Sequence, residues 1–249
     1  MRAYAIGDIH GHLDLLLAAQ ALVAADREAT GDRDAPLVHV GDLVDRGPDS
    51  AGVIAHLMDG QQAGQPWVVL KGNHDRMFVQ FLNDPQVNDP GLRAEYSWLH
   101  PRIGGAGTLA SYGVHAPADR PVAAVHADAQ SAVPRAHRDY LDALPAHFAH
   151  GGALFVHAGI RPGVALPAQS ETDLIWIRHD FLDFAGRHPW LVVHGHTAIK
   201  APRHYGNRLN IDSSAAYGGP VSAVVVEGDA AWLLTPDGRR PLPPTPERR

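Results

Sequence analysis

LVHVGDLVDRG, residues 37–47, passes from an apolar run into a turn that carries two aspartates and an arginine between glycines. Residues 37–40 have the composition of a short buried strand, and Asp42 follows where a strand end presents its side chain. Four further blocks share this grammar: GDIHG at 7–11, GNHD at 72–75, HAG at 157–159 and HGHT at 194–197. Most of them follow a β-branched or apolar run. Oxygen and imidazole donors offered from several strand ends, with small residues beside them, are what a closely spaced pair of divalent metals requires.

Outward from residue 37, residues 2–6 read as a strand. A helix over 13–28 follows, because Leu13, Leu16, Leu17, Leu22 and Val23 recur at helical spacing. A helix is expected at 50–58, a third strand at 67–70 and another helix at 76–82. Strand, loop and helix recur three times, which predicts a parallel sheet with crossover helices. Functional groups of such sheets collect at the carboxyl ends of the strands, where all three early blocks sit. Residues 83–145 read as an irregular cap, with regular periodicity only at 107–112 and a helix near 134–144. Strands are expected at 153–156, 191–193, 208–211, 221–226 and 230–234, and a helix at 174–184. Glu227-Gly228-Asp229 has the look of a hairpin turn. One domain over 1–236 is expected. Residues 237–249, rich in proline, are expected to be a flexible tail.

The bulk composition excludes several classes. The chain has 249 residues, 45% hydrophobic and 19% charged, ordinary for a globular protein with a substantial core. A net charge of −6 gives no global field for nucleic acid or anionic membrane, so an anionic substrate needs local positive charge. Long nucleic acid is not an expected partner. With no cysteine there are no disulfides, thiolate metal sites or cysteine nucleophiles. The first strand begins at once after Met1, without a secretory signal, and no apolar run is long enough for a bilayer; a cytoplasmic protein without membrane partners is expected.

Asp8 and His10 are two apart at a strand end, so both can project to one side. Asp42 can bridge two metals with its two oxygens, Asn73 offers a neutral carbonyl, and His157 and His196 add imidazoles. One metal would take Asp8, His10 and Asp42; the other Asp42, Asn73, His157 and His196. Two divalent cations against two carboxylates leave a surplus of about two positive charges, enough to attract a phosphate and acidify a water. Mixed nitrogen and oxygen ligation without sulfur suits manganese, iron, zinc or cobalt. Seventeen histidines make any one of them weak evidence. His194 lies two residues before His196, and the GHT context favours His196.

The five ordered blocks resemble those of the calcineurin-like metallophosphoesterases, in particular the short bacterial members of the phosphoprotein phosphatase branch. The resemblance spans about residues 2–235. It implies a four-layer α/β/β/α sandwich with two mixed β-sheets, and a dinuclear centre, most simply Mn(2+), that activates a water for hydrolysis of a phosphoester. It further implies that Asp45 orients His74, that His74 protonates the leaving oxygen, and that Arg46 grips the phosphate. Physical chemistry agrees: histidine has the side-chain pKa nearest neutrality, and a guanidinium fits phosphate with paired donors. Arg178, in a WIR element, is implied as a second phosphate contact, with Asn73 also facing the phosphate. Gly104-Gly105 with Thr108-Leu109 resembles a GGxxTL element that shapes the cap. The chain departs from the family pattern at Ala198-Ile199, where proline is usual, and in its longer IDSSAAYGG run.

The expected activity is that of a serine/threonine, or dual-specificity, phosphoprotein phosphatase acting on phosphorylated protein or peptide or on a small phosphoester. A nucleotide-directed hydrolase, such as a diadenosine polyphosphatase or RNA-end phosphatase, is the enzyme alternative. A non-catalytic metal-binding scaffold is the third.

Overall fold

Alternation along the strands divides the apolar residues among three cores, and the layers follow from that division. The computed structural model describes residues 1–116 and 120–245. One sheet contains β1 (Arg2–Ile6), β2 (Leu37–His39) and β3 (Trp67–Val69), paired parallel, as the repeated strand-loop-helix pattern predicts. The other contains β4 (His147–His150), β5 (Ala153–Val156), β6 (Leu191–His194), β7 (Arg203–His204) and β8 (Arg208–Asn210), in the order β4-β5-β6-β8-β7. Here β5, β6 and β8 run parallel while β4 and β7 are antiparallel edges. The chain then returns to the first sheet through β9 (Ala223–Glu227), β10 (Ala230–Thr235) and β11 (Gly238–Pro241), completing the order β11-β10-β9-β1-β2-β3. Both sheets are therefore mixed.

Ala3, Ala5, Val38, Val224 and Val226 pack against Phe155, Leu191, Val193 and Leu209 between the sheets. Their neighbours Tyr4, Ile6, Leu37 and Val225 face the opposite way, into a core with α1 (Leu13–Thr30), α2 (Ser50–Gln62) and α3 (Asn73–Asn83). On the far side, Leu154, Val156 and Val192 meet Leu174, Ile175 and Phe181. Helices, sheet, sheet, helices make the four-layer α/β/β/α sandwich that the resemblance implies. A side-chain period of two is what lets one strand serve two cores.

Several elements differ from expectation, each for a physical reason. Helix α3 begins at Asn73, three residues early, because the Asp75 carboxylate in its first turn accepts the Gly72 N–H at 2.8 Å. Asn73 and His74 thereby sit in the first helical turn. The cap is more regular than predicted. It holds α4 (Gly105–Ser111), α5 (Val122–Ala132) and α6 (Arg135–Ala143). Helix α5 buries only Val125 and Ala129, so its alanine-rich sequence carries strong propensity but little periodicity. The helix predicted over 174–184 is two short ones, α7 (Glu171–Trp176) and α8 (His179–Leu182), broken at Ile177-Arg178.

The expected tail is also corrected. Residues 238–241 form β11 and extend the sheet, with Thr235 opposite Gly238 across the hairpin. Arg239 holds it by donating to Asp26 and Glu227 at 2.7–2.8 Å, and the Thr245 N–H donates to the His204 carbonyl at 2.8 Å. The rest of the predicted tail, 246–249, lies outside the described residues. No helix among the described residues is long and apolar enough to cross a membrane.

Candidate metal and phosphate site

The carboxyl ends of six strands, all running parallel within their own sheets, converge at one seam. From the first sheet, β1 leads into Asp8 and His10, β2 into Asp42, and β3 into Asn73 and His74. From the second, β5 leads into His157, β6 into His196 and β8 into Asp212. All eight side chains are buried. Gly195 is required for this approach, since a Cβ there would collide with the Asp8 carboxylate.

Backbone strain concentrates at the same place. Among the described residues six non-glycine residues have left-handed φ, and five of them are His10 (47°), Asp42 (51°), Asp45 (74°), Arg46 (72°) and His196 (64°). Such residues cost on the order of 1–3 kcal/mol each and persist where the surroundings over-determine them. Five together form a sizeable share of a net stability of about 5–15 kcal/mol. Strain on that scale marks a site whose geometry serves something other than stability.

The donor geometry fits metal ions. Asp42 turns Oδ1 to His157 Nε2 at 3.3 Å and Oδ2 to His10 Nε2 at 3.5 Å, so its two oxygens face two different imidazoles. Asn73 Oδ1 lies 3.0 Å from His157 Nε2 and 2.8 Å from His196 Nδ1. Donors about 2.1 Å from a shared cation are about 3.0 Å apart at octahedral and about 3.4 Å at tetrahedral angles, close to these spacings. His157 Nδ1–H donates to the Val40 carbonyl at 2.9 Å, which leaves the Nε2 lone pair facing oxygen acceptors. Only a proton or a metal makes that arrangement favourable. Among the described residues two trios satisfy the proximity that an ion needs: Asp42, His157 and His196, and His10, Asp42 and His74. Asp8 belongs to neither trio; its oxygens accept the His196 backbone N–H at 3.0 and 3.2 Å.

The charges are strongly coupled. Burial works against a charged His157, but Asp42 and Asp8 outweigh it and push the imidazole up to about 9. Asp42, despite burial, is held well below the usual carboxylate range by His157, His74 and His10. Burial, then Asp212, raises Asp8 well above it. Burial keeps His10 neutral, with His74 and Arg46 adding to it against the pull of Asp42. Burial, His157 and Arg178 do the same to His196.

Beside the trios, His74 Nδ1–H donates to Asp45 Oδ2 at 2.6 Å. The fully buried Asp45 carboxylate also accepts the Trp98 indole N–H at 2.9 Å and the Thr108 hydroxyl at 2.7 Å. Arg46 directs Nη1 to His10 Nε2 at 3.1 Å and Nη2 to His74 Nε2 at 3.2 Å, while its guanidinium lies over the exposed Tyr217 ring. Arg178 approaches from the opposite side. At the α7–α8 break, it reaches the Thr197 hydroxyl at 3.4 Å and is close enough to depress His196. A cavity of about 960 Å3 opens at Arg46, lined by Leu99, His100, Arg102, Arg120, Val122 and Tyr217 among others.

The structure places His10, Asp42, Asn73, His74, His157, His196 and Arg46 within contact of one another, with Asp45 behind His74, whereas Asp8 joins them through the His196 backbone N–H and Arg178 reaches Thr197 rather than any of them. His194 stays out, turned toward Phe181 on the far face of its sheet. Asp212 was missed, although it follows a strand end like the other aspartates. Trp98 carries no sequence signal, and Thr108 was read only as a shaping residue.

Residues 1–228 match the family described as calcineurin-like phosphoesterase. The chain belongs to the calcineurin-like phosphoesterases. As a member it is a hydrolase acting on phosphoester bonds, with His and Asp groups able to hold metal. It is 27% identical over 237 residues to the asymmetrical bis(5'-nucleosyl)-tetraphosphatase PrpE of Anoxybacillus flavithermus, covering 88% of each chain. It is 26% identical over 234 residues to serine/threonine-protein phosphatase 1 of Salmonella typhimurium, covering 90% of this chain and 91% of that one. The fold superposes on the cold-active protein-tyrosine phosphatase of a psychrophilic Shewanella with a TM-score of 0.59 at 17% identity, over 97% and 80% of the two chains.

Proposed function

We propose that this phosphoesterase hydrolyses phosphomonoesters, and that its substrates are phosphoserine and phosphothreonine in proteins, with phosphotyrosine also accepted. The observation that carries this reading is the pair of arginines flanking the trios from opposite sides. A monoester dianion has three terminal oxygens to share between metals and two guanidinium groups, one more than a diester has. Asp8, His10 and Asp42 would hold one divalent metal, and Asp42, Asn73, His157 and His196 the other. Manganese fits this sulfur-free donor set, as do iron, zinc and cobalt. When bound, the metals supply positive charge to the phosphoryl oxygens and acidify a water.

The chain's own residues supply the rest. Arg46 and Arg178 orient the phosphate. His74, whose Nδ1–H is fixed on Asp45, points Nε2 into the mouth of the site; carrying a proton there, it delivers it to the leaving oxygen. In this structure Nε2 accepts from Arg46, so Arg46 must shift toward the phosphate as substrate enters.

A second reading, a nucleotide-directed hydrolase, draws on the cavity at Arg46. Its described lining residues include Arg102, Arg120 and Tyr217 and no carboxylate, which suits an anionic, aromatic leaving group, although Arg120 already pairs with Asp128 at 2.6 Å. A manganese-supplemented panel decides between them: phosphopeptides, p-nitrophenyl phosphate, diadenosine tetraphosphate and 5′-triphosphorylated RNA compared by kcat/KM. The first reading expects the phosphopeptides to lead. A preference of about tenfold or more for either nucleotide substrate reverses the order.

A further inference from the structure

We infer that Trp98 and Thr108, both contributed by the cap, are positioning residues for proton delivery to the leaving group. The inference rests on the reading of His74 as the acid. Asp45 is the only anchor of His74 Nδ1 among the described residues, and it is fully buried with an unfavourable left-handed backbone. Asp45 lies in the loop after β2, and among the described residues nothing in that loop hydrogen-bonds its carboxylate.

The cap does so from two directions. The Thr108 hydroxyl donates to Asp45 Oδ1 at 2.7 Å and accepts the Asp45 backbone N–H at 2.8 Å, bracing side chain and main chain together. The Trp98 indole N–H lies 2.9 Å from Oδ2, the oxygen that also receives His74. The Trp98 ring itself is seated on Phe78 and Phe81, with centroids 5.2 and 4.7 Å away, and both lie on α3, the helix that carries His74. One indole therefore references the carboxylate against the helix of its imidazole partner. Gly105 makes room for it, since a Cβ there would strike the indole. Loss of either donor leaves a buried carboxylate under-bonded and free to turn away from Nδ1.

Leaving-group dependence separates positioning from general support. A departing nitrophenolate needs little protonation, whereas an alkoxide needs a proton in the transition state. Trp98→Phe keeps the ring stack and removes only the N–H; Thr108→Val keeps the shape and removes the hydroxyl. Both variants are expected to lower kcat on a phosphoserine peptide about tenfold or more while changing kcat on p-nitrophenyl phosphate less than about threefold, with KM and bound manganese unchanged. Thr108→Ser should restore the loss.

Equal losses on both substrates, or no loss on either, overturn the inference. His74→Asn run alongside keeps the two readings apart. If that variant shows no leaving-group dependence, the acid reading itself fails. If it shows the dependence and the cap variants do not, only the positioning role fails.

Discussion

His74 accepts from Arg46 on one nitrogen and donates to Asp45 on the other, so a single imidazole links the phosphate-binding residue to a buried anion. Removing it should leave the metals and the fold in place. His74→Asn is expected to lower kcat by about 10²–10⁴, the range for a general acid, with manganese content unchanged by elemental analysis. Unchanged turnover would end the assignment. Asp42→Asn should behave differently, because each Asp42 oxygen faces a different imidazole: metal content and activity should fall together. The two arginines are not equivalent either. Arg46 is braced beside the trios, whereas Arg178 is exposed and holds Thr197 at the limit of a hydrogen bond. Arg46→Ala should raise KM for phosphate esters and lower kcat/KM by about 10²-fold, and Arg178→Ala by about tenfold, as expected for losing strong and weak charged hydrogen bonds. An equal effect of both would show that exposure does not grade their contacts.

At the scale of elements, β11 shows what sequence pattern leaves out. Its residues GRRP bury almost no apolar surface, and its place in the sheet depends on backbone pairing and on Arg239 between Asp26 and Glu227. The Arg239 guanidinium is largely shielded and Asp26 more so, so Arg239→Ala should reduce unfolding free energy by about 1–2 kcal/mol. That would appear as a lower denaturation midpoint with kcat unaffected. The strands feeding the site were legible because strands buried on both faces read as continuous apolar runs, as in residues 37–40 and 153–156. The candidate ligands were legible because five blocks of Asp, Asn or His beside glycine recur in order along the chain, although any one of them alone reads as a turn. The edge strands β4, β7 and β11 are short and partly exposed, and no periodicity marks them. Trp98 was invisible for another reason: its role depends on contacts with Asp45, Phe78 and Phe81 that only the folded chain brings together.

The whole molecule carries buried imidazoles in both halves of the sandwich, and these set its acid limit. Burial pushes His39 down to about 3 on the helix side of the first sheet, and burial with Arg208 does the same to His194 on the outer side of the second. A folded pKa below the unfolded 6.5 means stability is complete above about pH 6.5 and is lost as pH falls toward 3. Two such groups give a slope of roughly 2.7 kcal/mol per pH unit in that window. Asp75, pushed up to about 7 by burial and Asp42, opposes them between pH 7 and 4, because its folded state holds the proton more tightly. Asp8 and Asp212, also raised by burial, side with Asp75, while His10 and His196, also depressed by burial, side with His39 and His194, which leaves four imidazoles against three carboxyls and a net acid loss. His39→Gln should therefore flatten the fall in stability between pH 6.5 and 4, measured by urea unfolding, and an unaltered slope would exclude His39 as its source.

Metal would act at the seam of the molecule, since the proposed ligands come from both sheets, and binding should hold the two together. At about 100 times Kd, such a ligand adds about 2.7 kcal/mol, a rise in Tm of roughly 5–10 °C for a chain this long. Chelation should remove that increment. The increment also has a sign in pH. Asp42 and Asp8 hold a proton on His157 up to about 9, and a metal can use the Nε2 lone pair only by displacing that proton. Manganese affinity should therefore rise as pH increases from 6.5 to 8.5, by about tenfold per unit for one proton released. Thermal shift at fixed free manganese across that range reads it directly. A Tm increment that is flat or falls with pH would mean that His157 is already neutral before the metal arrives, and that the Asp42–His157 pair does not compete with it.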